Sequence, residues 1–150
     1  MPEITLLPWR ARERDVLALE VTDAQQYFIN GTVAKFLADD DDHPTFESFA
    51  ICDDLTTVGV VCYGQEVDHE VWRWWIPLLA VDHRHQGSGF GRAAMVATIQ
   101  AILDRAPDAR VLGLSCKPDN AIGLSLYRSL GFETGETNAR GGVDMWLTLR

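Results

Sequence analysis

The sequence predicts a single mixed α/β domain, and three observations predict it. Short apolar runs of strand character alternate along the chain with segments of helical period. A glycine-rich stretch, Gln86-Gly87-Ser88-Gly89-Phe90-Gly91-Arg92-Ala93, lies between an apolar run, Ile76 to Val81, and a helical segment, Ala93 to Leu103. No linker and no internal repeat divides the 150 residues, a length that suits one domain with its own core.

The elements follow in order. Glu3 to Leu7 alternates and reads as a first strand, and Val16 to Leu19 is short and apolar. Thr22-Asp23 caps a helix over Ala24 to Ile29, and Asn30-Gly31 stops it. Thr32 to Ala38 is a second short helix, and Asp39 to Asp42 with His43-Pro44 is a charged, solvated loop. Phe46 to Cys52 and Val58 to Tyr63 form an antiparallel hairpin about Asp53-Asp54 and Thr56-Thr57. After a polar loop, Gln65 to Glu70, the tryptophan-rich run Val71 to Val81 is a long strand. Pro77 interrupts it, and a proline inside a strand implies an edge, a bulge or a splay. Gly89 to Arg105 is a helix, with Ala93, Met95, Val96, Ile99, Ile102 and Leu103 at helical spacing, closed by Pro107. Val111 to Cys116 is a strand. Pro118-Asp119-Asn120 starts a helix over Ala121 to Leu130, which Gly131 ends. Phe132 to Glu136 and Val143 to Leu149 are the last strands, turning at Asn138 to Gly142.

Composition narrows the function. The formal net charge of −9 disfavours a nucleic-acid backbone as partner and suits a cationic one. No apolar run reaches the roughly 20 residues that span a bilayer, and the first 14 residues lack the apolar core of a secretory signal. Cys52, Cys62 and Cys116 lack metal-ligand spacing, and their odd number argues against a disulfide framework, so a reducing cytoplasm is expected, with no metal.

The glycine stretch carries the chemistry. Glycines let backbone approach a ligand closely, and the N–H groups of a helix's first turn point at phosphate oxygens. A dinucleotide site would need an early βαβ unit with an acidic residue at the end of its second strand, and Asp104 and Asp108 instead follow the helix directly. The Gly-Lys-Ser/Thr of a P-loop is absent.

Two motifs then coincide. Gln86-Gly87-Ser88-Gly89-Phe90-Gly91 fits Arg/Gln-x-x-Gly-x-Gly/Ala, and Asn120 is followed by Leu126-Tyr127-Arg128-Ser129-Leu130-Gly131-Phe132. With these motifs and this element order the chain resembles the GNAT superfamily of acetyl-CoA-dependent N-acetyltransferases over nearly its whole length. The resemblance implies a mixed, mostly antiparallel sheet flanked by helices and splayed between its fourth and fifth strands. It implies that loop amides from Gly87 through Ser88, Gly89, Phe90 and Gly91 to Arg92, with Gln86, hold the pyrophosphate of coenzyme A. Leu79, Ala80 and Val81 would pair with the pantetheine arm, and Asn120 would bond the arm or order its helix. Tyr127 would lie near the cofactor sulfur as general acid, with Cys116 as lining.

An alkyl amine acceptor has a pKa near 10.4, so only about one part in 10³ is neutral at pH 7, and a base helps. Many relatives carry a glutamate on the strand before the loop. Here Trp72-Arg73-Trp74-Trp75-Ile76-Pro77 holds no carboxylate. Glu20, Glu70 and Asp68 are the alternatives, reached through water. His83 and His85 read as solvent-facing, and Trp72, Trp74 and Trp75 as mostly core. The segment Val21 to Phe28 with Asn30, and Val81-Asp82 ahead of Gln86-Gly87-x-Gly89, are similar to bacterial diamine and spermidine N-acetyltransferases, although Pro77-Leu78 stands where those relatives tend to have Arg. A small-molecule amine, with a polyamine or diamine leading, is the expected acceptor. An acetyltransferase of protein N-termini or lysines and a non-catalytic acyl-CoA sensor stay open. A homodimer is common in the family, and edges near the C-terminal strand could support one.

Overall fold

The computed structural model describes residues 2–21, 32–40, 45–66 and 73–150. The helix expected over Ala24 to Ile29, and the candidates Asp68 and Glu70, lie outside the described residues.

Among the described residues, seven strands form one sheet: β1 (Thr5–Pro8), β2 (Phe46–Asp53), β3 (Thr56–Gln65), β4 (Arg73–Val81), β5 (Val111–Cys116), β6 (Glu133–Thr137) and β7 (Val143–Thr148). Their spatial order is β1-β2-β3-β4-β5-β7-β6. Every neighbouring pair is antiparallel except β4 and β5, which run parallel. The described helices are α1 (Glu13–Leu17), α2 (Val33–Asp40), α3 (Phe90–Arg105) and α4 (Ala121–Ser129), with 3-10 turns at Trp9–Arg12 and His83–His85. The apolar residues Val16 and Leu17 therefore close a helix whose first turn is charged, and α2 continues into the acidic run that the sequence assigns to a loop.

The sheet separates two apolar layers. On one face Ile51, Val58, Val61, Trp74, Ile76, Leu112, Leu114 and Met145 pack with Phe90, Ala94, Met95 and Ile102 of α3. On the other, Ala50, Cys52, Val60, Cys62, Leu78 and Ala80 pack with Trp9, Val16, Val33 and Leu37. Each such aliphatic side chain, once fully buried, contributes about 1.5–3 kcal/mol, which is what holds short elements such as α1 on the sheet.

Strand β4 changes face midway. Cys62 pairs with Leu78 but Gly64 pairs with Trp75, so Ile76 and Pro77 together oppose Tyr63 as a bulge. One extra residue shifts the side-chain alternation. Trp74 and Ile76 therefore face α3, Leu78 and Ala80 face α1 and α2, and Leu79 and Val81 pack back toward α3. Pro77 has no N–H to donate and is tolerated at such a bulge.

Candidate active site

The fork between β4 and β5 organises the site. The parallel ladder joins Arg73, Trp74, Trp75 and Ile76 to Val111, Leu112, Gly113 and Leu114, and there it ends. Beyond it β4 remains paired with β3 through Leu78 to Val81, while Ser115 and Cys116, among the described strands, pair with β7 alone. The two strands have parted along their C-terminal halves, as expected, from the position of Pro77 onward. Asp82 donates its N–H to the Val58 carbonyl on β3 at 2.8 Å. Strand alternation then turns the N–H groups of Leu79 and Val81 the other way, into the gap. Ala80 points its side chain into the opposite core layer.

At the top of β4 the chain makes the 3-10 turn His83–His85 and enters the glycine loop. Gln86 reaches back, its Nε2 donating to the Val81 carbonyl at 3.1 Å. Gly87 has φ +80° and Gly89, the N-cap of α3, φ +85°, a left-handed backbone that L side chains rarely adopt. Nothing lies within 4 Å of where a Gly87 side chain would begin. Ser88 is exposed between them. The first helical bond runs from Ala93 to the Gly89 carbonyl, so the amides of Phe90, Gly91 and Arg92 precede the ladder. Phe90 buries its ring in the core with His85 edge-on at 6.1 Å. Gly91 brings α3 against Leu126 of α4, 3.5 Å from a side chain's first carbon. Arg92 donates from Nη1 to Ser129 Oγ at 2.7 Å and ties the two helices together.

Across the gap, β5 leads into α4. Asn120 caps it, Oδ1 accepting from the Gly123 amide at 3.0 Å. Gly123 must be small, since a side chain there would begin 2.6 Å from Asn120 Nδ2 and 3.1 Å from Cys116 Sγ. That Asn-x-x-Gly pairing was available in the sequence as a signal. Cys116 is buried at the end of β5, and burial pushes its thiol pKa up. Tyr127 is half-buried, edge-on to Phe132 at 5.9 Å. Burial, then the neighbouring Cys116, pushes its phenol well above the ordinary range. The phenol therefore stays protonated through neutral pH.

Glu20 lies elsewhere. Its amide donates to Asp82 Oδ2 at 2.7 Å, and its carbonyl accepts from the His83 amide at 2.9 Å. Its carboxylate is 3.5 Å from His83 Nε2 and 3.9 Å from Arg84 Nε. Asp82 follows the last paired residue of the fork, Ile76, by six positions, about 20 Å of extended chain. His83 thus faces a carboxylate as well as solvent. Trp74 is core, while Trp75 lies on the Trp146 ring at 5.5 Å and Arg73 stacks over Trp146 at 4.4 Å. Sequence reasoning noted Asp82 only within the Val81-Asp82 resemblance and passed over Arg84, and the two side chains bond each other at this turn.

Loop, gap and capped helix fit a long cofactor with a phosphate end and an extended arm: left-handed glycines exposed at the surface, forward-facing amides, and a stretch of β4 from which β5 has parted. Among the described residues, no group of three or more His, Cys, Asp and Glu side chains could hold a metal ion, and no helix is long and apolar enough to cross a membrane.

A model of the acetyltransferase (GNAT) family matches residues 8–132. The chain belongs to this family and is an acetyl-CoA-dependent N-acetyltransferase. Its fold is shared with spermidine N-acetyltransferase from Vibrio cholerae, solved with CoA and spermine, at TM-score 0.77 and 15% identity over 98% of this chain and 96% of that one. It is shared with the ribosomal-protein-S18-alanine N-acetyltransferase from Escherichia coli at TM-score 0.69 and 19% identity, covering 99% and 94%. An aminoglycoside acetyltransferase solved with coenzyme A superposes at TM-score 0.73 and 16% identity, covering 97% and 94%. Among curated proteins, none matches the sequence significantly.

Proposed function

We propose that the chain acetylates a primary amine of a small molecule, a polyamine or diamine before others, by direct attack on the thioester at the fork. The observation that carries this reading is the coincidence, where the parallel strands β4 and β5 have parted, of the glycine loop that follows β4 with Tyr127 beside Cys116 at the end of β5.

Acetyl-CoA supplies an acyl group already activated as a thioester. In this reading the amides from Gly87 to Arg92 bind the pyrophosphate, and Leu79 and Val81 donate to the pantetheine arm as a missing strand would. Asn120, whose Oδ1 already accepts from its own helix, offers the arm its Nδ2. Gln86 and the rings and side chains of Phe90 and Arg92 act by bracing the loop. The thioester then falls toward the fork, where β4 backbone N–H groups polarise its carbonyl and Tyr127 gives its proton to the departing thiolate. The base is a carboxylate acting through water. Glu20, tied high on β4, would need such a relay, and Glu70 and Asp68 are the other candidates.

The acceptor class is supported by the net charge of −9, by the similarity of the segment at 21–30 to diamine and spermidine enzymes, and by the shared fold with the Vibrio cholerae enzyme. A cytoplasmic homodimer acting on a soluble amine, without nucleic acid or membrane, is the setting these features suit. Acetyl-CoA turnover followed by free-thiol detection across diamines, polyamines, aminoglycosides and N-terminal peptides tests the reading. Spermidine or a diamine should give the highest kcat/KM. Faster turnover of peptides would replace it with protein acetylation, and tight coenzyme A binding without turnover on any amine would replace it with a sensor.

A further inference from the structure

We propose that Asp82 is a positioning residue for the donor loop: its buried carboxylate locks Arg84 and the Glu20 segment, so that the chain leaving β4 enters Gln86–Arg92 in one geometry. The proposal rests on the reading that this loop holds the pyrophosphate.

Asp82 is fully buried, immediately beyond the last residue of β4. Four donors converge on its carboxylate. Oδ1 accepts from the backbone amide and Nε of Arg84, both at 2.9 Å, and Oδ2 accepts from Arg84 Nη2 at 2.8 Å and the Glu20 amide at 2.7 Å. A carboxylate has about four acceptor sites, so this one is fully used. The Asp82 amide is itself a rung to Val58, and its carbonyl accepts from the His85 amide at 2.9 Å, closing the turn. Gln86 then secures the next residue to Val81. The connection from sheet to loop is thus braced by two side chains, one at each end of the His83–His85 turn.

The Arg84 guanidinium is spent on this brace. Although the side chain is 57% exposed, Nε and Nη2 both face Asp82, a side-on fork that lysine cannot reproduce. A buried carboxylate costs stability unless every lone pair is matched, and apolar packing could end a strand equally well. What the carboxylate adds is a fixed direction for the chain. Arg84 holds its pKa well below the usual carboxylate range, so the brace is charged at any pH used for assay.

The test compares coenzyme A with pantetheine, which lacks the pyrophosphate, by direct binding to the wild type, Asp82→Asn and Arg84→Ala. Asp82→Asn should weaken coenzyme A about tenfold or more, the loss of one well-placed charge-assisted contact, and leave pantetheine unchanged. Arg84→Ala, at an exposed side chain, should shift binding the same way and serves alone if Asp82→Asn does not fold. Arg84→Lys should not restore binding, and the double variant should be no worse than Asp82→Asn. Equal loss for both ligands, or coenzyme A binding unchanged in both single variants, would overturn the proposal. Wild-type binding equally tight for both ligands would overturn the loop assignment beneath it, a distinct result.

Discussion

The two halves of β4 are built from one strand and serve opposite ends. From Arg73 to Ile76 it is held on both sides, by β3 and by β5, and its tryptophans lie on neighbouring aromatic rings. From Pro77 to Val81 its ladder is with β3, β5 having parted from it, and the N–H groups of Leu79 and Val81 turn toward the gap. A glycine stands beside each half. Gly113 lies under the rings of Trp75 and Trp146, with a side chain's first carbon 2.6 Å from Trp75. A side chain's first carbon at Gly59 would run into the Ala80 carbonyl and lie 3.2 Å from Val81 Cα. The difference teaches that a binding edge inside a sheet relies on its other edge: the half from which β5 has parted keeps its ladder to β3, where Gly59 leaves no room for a side chain against Ala80 and Val81.

The largest effect expected in the open half is on chemistry. Tyr127→Phe should lower kcat about 10²-fold, the usual scale for a general acid, with the KM for acetyl-CoA and the melting temperature nearly unchanged. Unchanged turnover would remove Tyr127 from the proton transfer. In the paired half the largest effect is on stability. Gly113→Ala pushes a methyl group into two indoles and should cost about 1–3 kcal/mol in denaturant unfolding. Gly59→Ala meets backbone and should cost at least as much, with coenzyme A affinity falling as well. If Gly59→Ala lowered stability but left affinity intact, the two halves would be structurally alike and the contrast would fail.

Smaller effects sharpen the picture. Asn120→Ala removes a cap worth about 1 kcal/mol, visible as a lowered melting temperature, and a larger loss of coenzyme A affinity than of stability would show that Nδ2 also touches the arm. Gly87→Ala places a side chain at φ +80° in open space, so it should cost about 1 kcal/mol of backbone strain and weaken coenzyme A without a steric clash. The smallest effect is in pH. The folded-state pKa of Tyr127 is raised above its unfolded value. The stability this contributes is complete below about pH 10 and is lost as pH rises toward the folded value. Urea midpoints measured from pH 9 upward should therefore fall less steeply in Tyr127→Phe than in the wild type, and the rate profile should show no limb from this phenol below pH 10.

Much of this was legible in the chain. Strand–glycine loop–helix at 76–103 and Asn120 with Tyr127 downstream named the donor side, because glycine conformations and helix caps are local properties that a short stretch determines. The fork was legible through Pro77, because a missing N–H is a covalent fact. The helix α1 was less so: five residues with a charged first turn have little intrinsic signal, and α1 exists through Val16 packing on the sheet. Glu20 illustrates the limit for site residues. Nothing around it in the sequence announces that its amide bonds to Asp82, 62 positions away, which sets it beside the His83–His85 turn.

The sequence by itself determined the class and the cosubstrate, and it supplied the candidates for the donor loop and for proton transfer. Tertiary structure alone decided the face on which each residue of β4 acts, since one bulged residue reverses all that follow it, and it alone made Asp82 a brace. An aspartate before His83-Arg84-His85 is unremarkable as text. It acquires its role only where folding withdraws it from water, because a buried charge must gather donors from whatever parts of the chain the fold brings to it.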